Sequence, residues 1–150
     1  MSARMRLSIL TILFSANIFV CSAQQLISDE QAIACLRQFY INYITYKNGG
    51  KESDKKMESL LNRYSTPRLT EQLKKQEEED DDFITNSQGS DLGWLKTLKV
   101  TKDKTAIDVY EVSWVNIDYL EHKHDEIMKV RLQLIKTSTG ILIDRVIISD

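Results

Sequence analysis

Apolar residues in the first half of the chain recur at steps of three and four, which is the spacing of one face of an α-helix. The first such stripe predicts a helix over about Asp29 to Tyr46. Ser28 and Gln31 have capping-box spacing at its start, and Asn48-Gly49-Gly50 ends it. The stripe consists of Ala32, Leu36, Phe39, Tyr40, Tyr43 and Ile44.

Two shorter amphipathic stretches follow the glycine pair. The first predicts a helix over about Asp54 to Tyr64, and the second predicts a helix over Pro67 to Gln76. Thr66 suits the N-cap of the third helix, and Pro67 suits its first turn, where a missing backbone N–H costs nothing. The first half of the chain is therefore predicted to be helical.

The period changes to two in the second half of the chain, which predicts β-strands. A short strand is predicted over about 98–101, and a second over about 107–114. In the second strand Ile107 and Val109 would share one face, and Tyr110 and Val112 the other. This one-residue phase change predicts either a β-bulge or a strand that is buried on both faces near its middle.

The cleanest alternation in the chain covers residues 128–135, and a short loop separates it from the apolar stretch Ile141 to Ile148. The two stretches are predicted to form a hairpin. Short connections between successive strands favour an antiparallel sheet, and helices placed before strands favour an α+β fold with the helices on one face of the sheet.

The first 23 residues have the pattern of an export signal. Arg4 and Arg6 precede an apolar run from Leu7 to Val20, which is too short to span a bilayer comfortably. Small residues follow at 21–23, so we expect cleavage after Ala23, leaving residues 24–150 as a single domain in the periplasm. The alternative is a lipoprotein anchored to the membrane through Cys21, although Val20 is larger than that processing usually favours.

Removal of the signal makes the chain mildly acidic. Of the 20 basic residues Arg4 and Arg6 are lost, which leaves 18 against all 22 acidic residues and a net charge of −4. Such a protein has little electrostatic reason to bind nucleic acid. Cys35 becomes the only cysteine, which excludes an intramolecular disulfide and is typical of a small buried side chain on a helix.

No arrangement of residues in the sequence indicates catalysis, a cofactor or a metal. Cys35 lies on a predicted buried helix face, and neither a nucleophile elbow nor a phosphate-binding glycine loop is present. His122 and His124 have a spacing that can suit a metal, but the stretch around them is more typical of a charged connection between strands. The acidic run from Glu77 to Asp82 is either a docking patch or, as we predict, a solvated helix end and loop.

Three short motifs stand out along the chain: residues 82–88 followed by Asp91 and Trp94, the pair Phe39-Tyr40, and residues 143–146. Together they resemble a family of bacterial periplasmic proteins and lipoproteins (DUF3828-like) whose members include immunity proteins against amidase toxins of type VI secretion. Ile141 and Gly89 depart from the family pattern, which has tryptophan and aspartate there. The resemblance implies one α+β domain, with helices against a curved antiparallel sheet of the cystatin or NTF2 kind, and no established activity.

From these observations we expect a non-enzymatic protein of the Gram-negative periplasm that binds another protein. The resemblance suggests a toxin-neutralising immunity factor whose partner is an amidase. Its binding residues would lie on a loop that enters the partner's cleft, where mixed acidic and aromatic side chains can both steer and anchor a complex. The candidates are Asp82, Phe83, Gln88, Asp91 and Trp94.

Two alternatives stay open at this stage. The same stretch could be an ordered connection, with Phe83 and Trp94 fixed in the core. The protein could instead bind a small ligand in an apolar cavity between the sheet and the helices. The residues that would line such a cavity are Tyr40, Tyr43, Trp114 and Met128.

Overall fold

The computed structural model describes residues 28–76, 82–87, 89–116, 126–137 and 140–147. Three helices come first: α1 (Asp29–Lys47), α2 (Asp54–Tyr64) and α3 (Pro67–Gln76). Four strands follow: β1 (Lys99–Lys102), β2 (Val109–Asn116), β3 (Glu126–Thr137) and β4 (Gly140–Ile147). Short 3₁₀ turns precede α2 at Lys51–Ser53 and β1 at Leu92–Lys96.

Several predictions from the sequence lie outside the described residues. They are the export signal with Cys21, the acidic positions 77–81, Gln88, and the histidines His122 and His124. Within the part of the chain that the structure describes, no helix combines the length and the apolar character needed to cross a membrane.

The four strands form one antiparallel sheet in the order β1-β2-β3-β4. The helices pack on one face of this curved sheet, so the predicted α+β fold is confirmed. The core joins the apolar stripe of α1 to the inner face of the sheet. Its largest fully buried side chains include Leu36, Phe39, Tyr40, Ile44, Tyr110, Val112, Trp114, Leu132, Leu134 and Ile143.

In the second strand the structure shows no bulge, and burial on both faces occurs at the start of the strand and not near its middle, since Glu111 and Ser113 on the face of Val109 are only half-buried. Strand β2 pairs without interruption with β1 and β3, and neighbouring Val109 and Tyr110 are only 3% and 0% exposed. The predicted bulge in this strand is therefore wrong. Ile107 does not share a face with Val109, because Asp108 has a positive φ of 55° that separates Ile107 from the strand and leaves it 78% exposed.

A bulge does occur in the sheet, but on β4. Gln133 pairs with Arg145 and Leu134 pairs with Ile143, so Asp144 is the extra residue between the two pairs. The bulge attaches the junction of α2 and α3 to the sheet. The Thr66 N–H donates to the carbonyl of Ile143 at 2.9 Å, and the Thr66 hydroxyl donates to Asp144 Oδ1 at 3.1 Å.

Candidate functional site

The segment 82–87 packs against α1 through two tyrosine hydroxyls. The Tyr43 hydroxyl donates to the Asp82 carboxylate at 3.0 Å, and Lys47 Nζ lies 3.3 Å from the same carboxylate. One turn earlier on α1, the Tyr40 hydroxyl donates to the carbonyl of Ile84 at 2.7 Å. The side chain of Ile84 is fully buried beside them. Asp82 is therefore a structural anchor of this segment, and most of its acceptor capacity is used inside the protein.

Trp94 belongs to the core. It is 5% exposed, its ring stacks on Trp114 with 5.4 Å between centroids, and its Nε1 donates to Asn116 Oδ1 at 3.2 Å. Asp91 caps the 3₁₀ turn before Trp94 by accepting a hydrogen bond from the Gly93 N–H. A tryptophan in this position is not available to a partner, which is what the ordered-connection alternative predicts for it.

Phe83 is the aromatic residue of the predicted binding set that stays half-buried, whereas Trp94 is buried. Phe83 lines two concavities at once: a large groove on the helical side and a small cleft of about 130 Å³ at the end of β4. The structure therefore separates the predicted set. Asp91 is exposed, Asp82 and Phe83 are half-buried and line the large groove, Trp94 is buried, and Gln88 lies outside the described residues.

The alternative ligand cavity between helices and sheet is occupied by the protein's own side chains. Tyr40 and Trp114 are almost completely buried, with their ring centroids 5.9 Å apart, and Met128 pairs with Trp114 across the sheet. Burial raises the pKa of Tyr40 well above its ordinary value, and the charge of Asp82 adds to this, so the phenol stays neutral and serves as a hydrogen-bond donor. Tyr43 alone of the four residues lines an open concavity.

The main concavity, here called the helical groove, has a volume of about 1130 Å³. It lies between the C-terminal part of α1, helices α2 and α3, and the described residues of segment 82–90. Helix α2 contributes a continuous stripe, because positions separated by three, four, seven and eight residues share one helix face. The stripe consists of Asp54, Met57, Glu58, Leu61 and Asn62.

The groove combines apolar surface with charge. Met57, Leu61 and Leu73 are only partly buried by the core, so they leave apolar surface open to the groove. Asp54 and Glu58 are exposed beside them on α2, and Lys74 is exposed on α3. An arrangement of this kind can bind an amphipathic group by contact and by charge, and among its described residues no nucleophile is hydrogen-bonded to a base.

Sequence reasoning missed this groove, because the spacing of Met57, Leu60, Leu61 and Tyr64 in α2 predicts a single apolar stripe that packs against the core. In the structure Leu60, at 5% exposed, is the only residue of α2 that is buried. A signal was present in the sequence, since Asp54 and Glu58 flank the apolar positions of the same helix face instead of lying opposite to them. Among the described residues, no group of three or more histidine, cysteine, aspartate or glutamate side chains is placed to hold a metal ion.

No protein-family model matches the sequence, and no curated protein matches it significantly. A solved structure does resemble it: a protein of unknown function from Bacteroides thetaiotaomicron VPI-5482, with a TM-score of 0.68. The two chains are 22% identical, over 79% of this chain and 90% of the other. They share a fold. At this level of identity the similarity shows the shared α+β fold alone, and the resemblance to the DUF3828-like family stays a prediction.

Proposed function

We propose that this protein is an exported, non-enzymatic binding domain that holds a segment of another protein in the helical groove. The observation that carries the proposal is the groove itself, with its partly buried apolar residues and its exposed charges on α2 and α3. The export pattern of residues 1–23 would bring the domain to the periplasm.

The size of the groove favours a chain segment over a compact small molecule. Pockets for small molecules usually have volumes of about 300–1,000 Å³ and enclose most of the ligand. The helical groove exceeds that range, and its stripe on α2 runs from Asp54 to Asn62. Eight residues of helix rise by about 12 Å, which is the length of roughly four extended residues.

An amidase toxin is the candidate partner that the family resemblance suggests. We no longer propose that a loop of this protein enters the partner's cleft, because Asp82 is hydrogen-bonded to α1 and Trp94 is stacked on Trp114 of the sheet. The partner would insert a segment into this protein, and Phe83 would contact that segment from the side of the groove formed by 82–90. Capture of a segment near the toxin's active site would exclude its substrate.

Site-specific photo-crosslinking in living cells tests the proposal. Asn62 is exposed in the groove and can be replaced by p-benzoyl-L-phenylalanine, with exposed Lys136 on β3 as the control position outside the groove. We expect a discrete crosslinked partner in the periplasmic fraction from position 62 and none from position 136. Crosslinks from both positions alike, or from position 62 to a second copy of this chain only, would contradict the proposal.

The immunity form of the proposal needs a separate test. An amidase encoded beside this gene would be directed to the periplasm of a test strain, with and without this protein. We expect the protein to restore growth, and we expect Met57→Glu with Leu61→Glu to abolish the protection, because two charges would replace the apolar surface of the groove. Protection that survives this double substitution would place the binding surface elsewhere.

A further inference from the structure

Helix α2 turns two uncompensated carboxylates towards the groove. Asp54 and Glu58 are four residues apart, so they lie one turn above the other on the same face, where like charges repel. Neither forms an ion pair with a described residue. Helix α3 shows the contrast, because Glu71 and Lys75 have the same spacing and pair at 2.9 Å.

The basic side chains of the groove do not neutralise these carboxylates. Lys47 is occupied by Asp82 at 3.3 Å, on the side formed by α1. Lys74 stands on α3 and forms no ion pair within the described ranges. Lys51, Lys55 and Lys56 lie close by in sequence but do not line the groove, so the charged residues that α2 presents to it are both acidic and complement a cationic ligand.

A buried hydroxyl at the start of α2 also lacks a partner. Ser53 lines the groove and is 8% exposed, yet its side chain does not cap α2 and forms no hydrogen bond with the described residues. Its Oγ lies only 2.1 Å from where a Cβ on Gly49 would be, so the glycine makes room for it. The Ser53 Oγ atom is not among the fully enclosed unpaired atoms of the described residues, so it is open to the groove and can bond a ligand there.

We propose that the segment bound in the groove presents a lysine or arginine to Asp54 and Glu58 and an adjacent apolar side chain to Met57 and Leu61. The Ser53 hydroxyl would bond a backbone group of the same segment. This inference rests on the proposed function and adds the chemical class of the ligand. Arginine suits the site best, because its planar guanidinium can bond two carboxylates at once.

Three fluorescein-labelled peptides test the charge preference. They share two leucines and differ at one neighbouring position, which is arginine, glutamine or glutamate. In anisotropy titrations with the full exported protein, we expect the arginine peptide to bind about tenfold more tightly than the glutamine peptide, and the glutamate peptide to bind most weakly. We also expect the preference to shrink as salt is raised.

Substitutions in the protein locate the effect. Asp54→Asn with Glu58→Gln should remove the preference for arginine and leave the affinity for the glutamine peptide unchanged. Glu30→Gln is the matched control, because Glu30 is equally exposed on α1 but outside the groove. Ser53→Ala should lower the affinity for all three peptides by the same factor. Thermal unfolding monitored by circular dichroism checks that the variants remain folded.

The outcomes separate the inference from the proposed function. A preference for glutamate, equal binding of the three peptides, or an arginine preference that survives the Asp54 and Glu58 substitutions would overturn the inference. A groove-crosslinked partner segment without a basic residue beside an apolar one would also overturn it, while the proposed function would stand. Absence of any crosslink in the groove would remove the proposed function, and the inference with it.

Discussion

Replacement of Trp94 by alanine should destabilise the fold far more than it affects any surface. In the structure Trp94 is 5% exposed, stacks on Trp114 and donates a hydrogen bond to Asn116. The substitution therefore leaves a cavity beside Trp114 and an unpaired amide oxygen on Asn116. A surface contact would have none of these consequences, so the stability change distinguishes a core role from a binding role.

The expected loss can be worked from the burial of the side chain. An aromatic residue buries about 150–250 Å², and at about 25 cal/mol per Å² this corresponds to about 4–6 kcal/mol as an upper limit. Measured costs for replacing a buried aromatic residue by alanine are about 3–5 kcal/mol. We expect Trp94→Ala to fall in that range. Trp94→Phe keeps a ring but loses the hydrogen bond, and it should cost about 1–2 kcal/mol.

Urea unfolding monitored by far-ultraviolet circular dichroism measures this series. Tryptophan fluorescence is a second probe, since Trp114 is the only tryptophan left in the variants. Leu92→Ala is the control from the same 3₁₀ turn, because Leu92 is 52% exposed. This substitution should change the free energy of unfolding by no more than about 0.5 kcal/mol. A loss below about 1 kcal/mol for Trp94→Ala would refute the core position of this residue.

Three further predictions follow from buried or hydrogen-bonded polar groups. Tyr40→Phe should cost about 1–3 kcal/mol in urea unfolding, because it leaves the buried carbonyl of Ile84 without its donor. Hydrogen bonds from Thr105 and Arg131 hold the pKa of Asp103 well below its ordinary value of 3.8. Its contribution to stability is therefore complete above that pH and is lost as the pH falls below it, so Asp103→Asn should flatten the decline of the urea midpoint below about pH 4. Burial raises the pKa of the Cys35 thiol, so iodoacetamide at pH 8 should alkylate it more slowly in the folded protein than in urea.

Each of these predictions has its own control. Tyr46→Phe is the control for Tyr40→Phe, because the Tyr46 hydroxyl forms no hydrogen bond with a described residue. Equal losses of unfolding free energy at positions 40 and 46 would contradict the prediction for Tyr40. For the second, Arg131→Gln should only partly flatten the decline of the urea midpoint at acid pH, because the Thr105 hydrogen bonds to Asp103 remain. An unchanged decline in Asp103→Asn would show that Asp103 does not contribute to it. Equal alkylation rates in the folded and unfolded chain would show that Cys35 is accessible.

The helices could be predicted from the sequence because their signals are local. Helices α2 and α3 have the predicted bounds, and the Leu69 N–H donates to the Thr66 side chain as an N-cap requires. The strands were less certain, because a phase change in the apolar pattern can indicate either a bulge or burial on both faces. Only the pairing with neighbouring strands distinguishes the two arrangements.

The site could be predicted only in part, since it is assembled from distant residues. Phe83 was predicted as a binding residue because it is an aromatic residue beside acidic positions, and the structure shows that it lines the groove. The stacking of Trp94 on Trp114 and the bond from Tyr43 to Asp82 connect residues that are about 20–40 positions apart, and no periodic pattern encodes such contacts. The groove on α2 likewise exists only once α1, α3 and segment 82–90 surround it.

The bulge at Asp144 has a consequence for the order in which the chain folds. It connects Thr66 to a residue 78 positions later, and Ser65 forms a parallel bridge to Ile143 in the same place. The junction of α2 and α3 therefore cannot dock on the sheet until β4 has been synthesised and has joined the sheet. Contacts so distant in sequence form slowly, because a long loop must close before they are gained. If the chain is exported N-terminus first, as proposed, this connection between the helices and the sheet can form only after Asp144 has crossed the membrane.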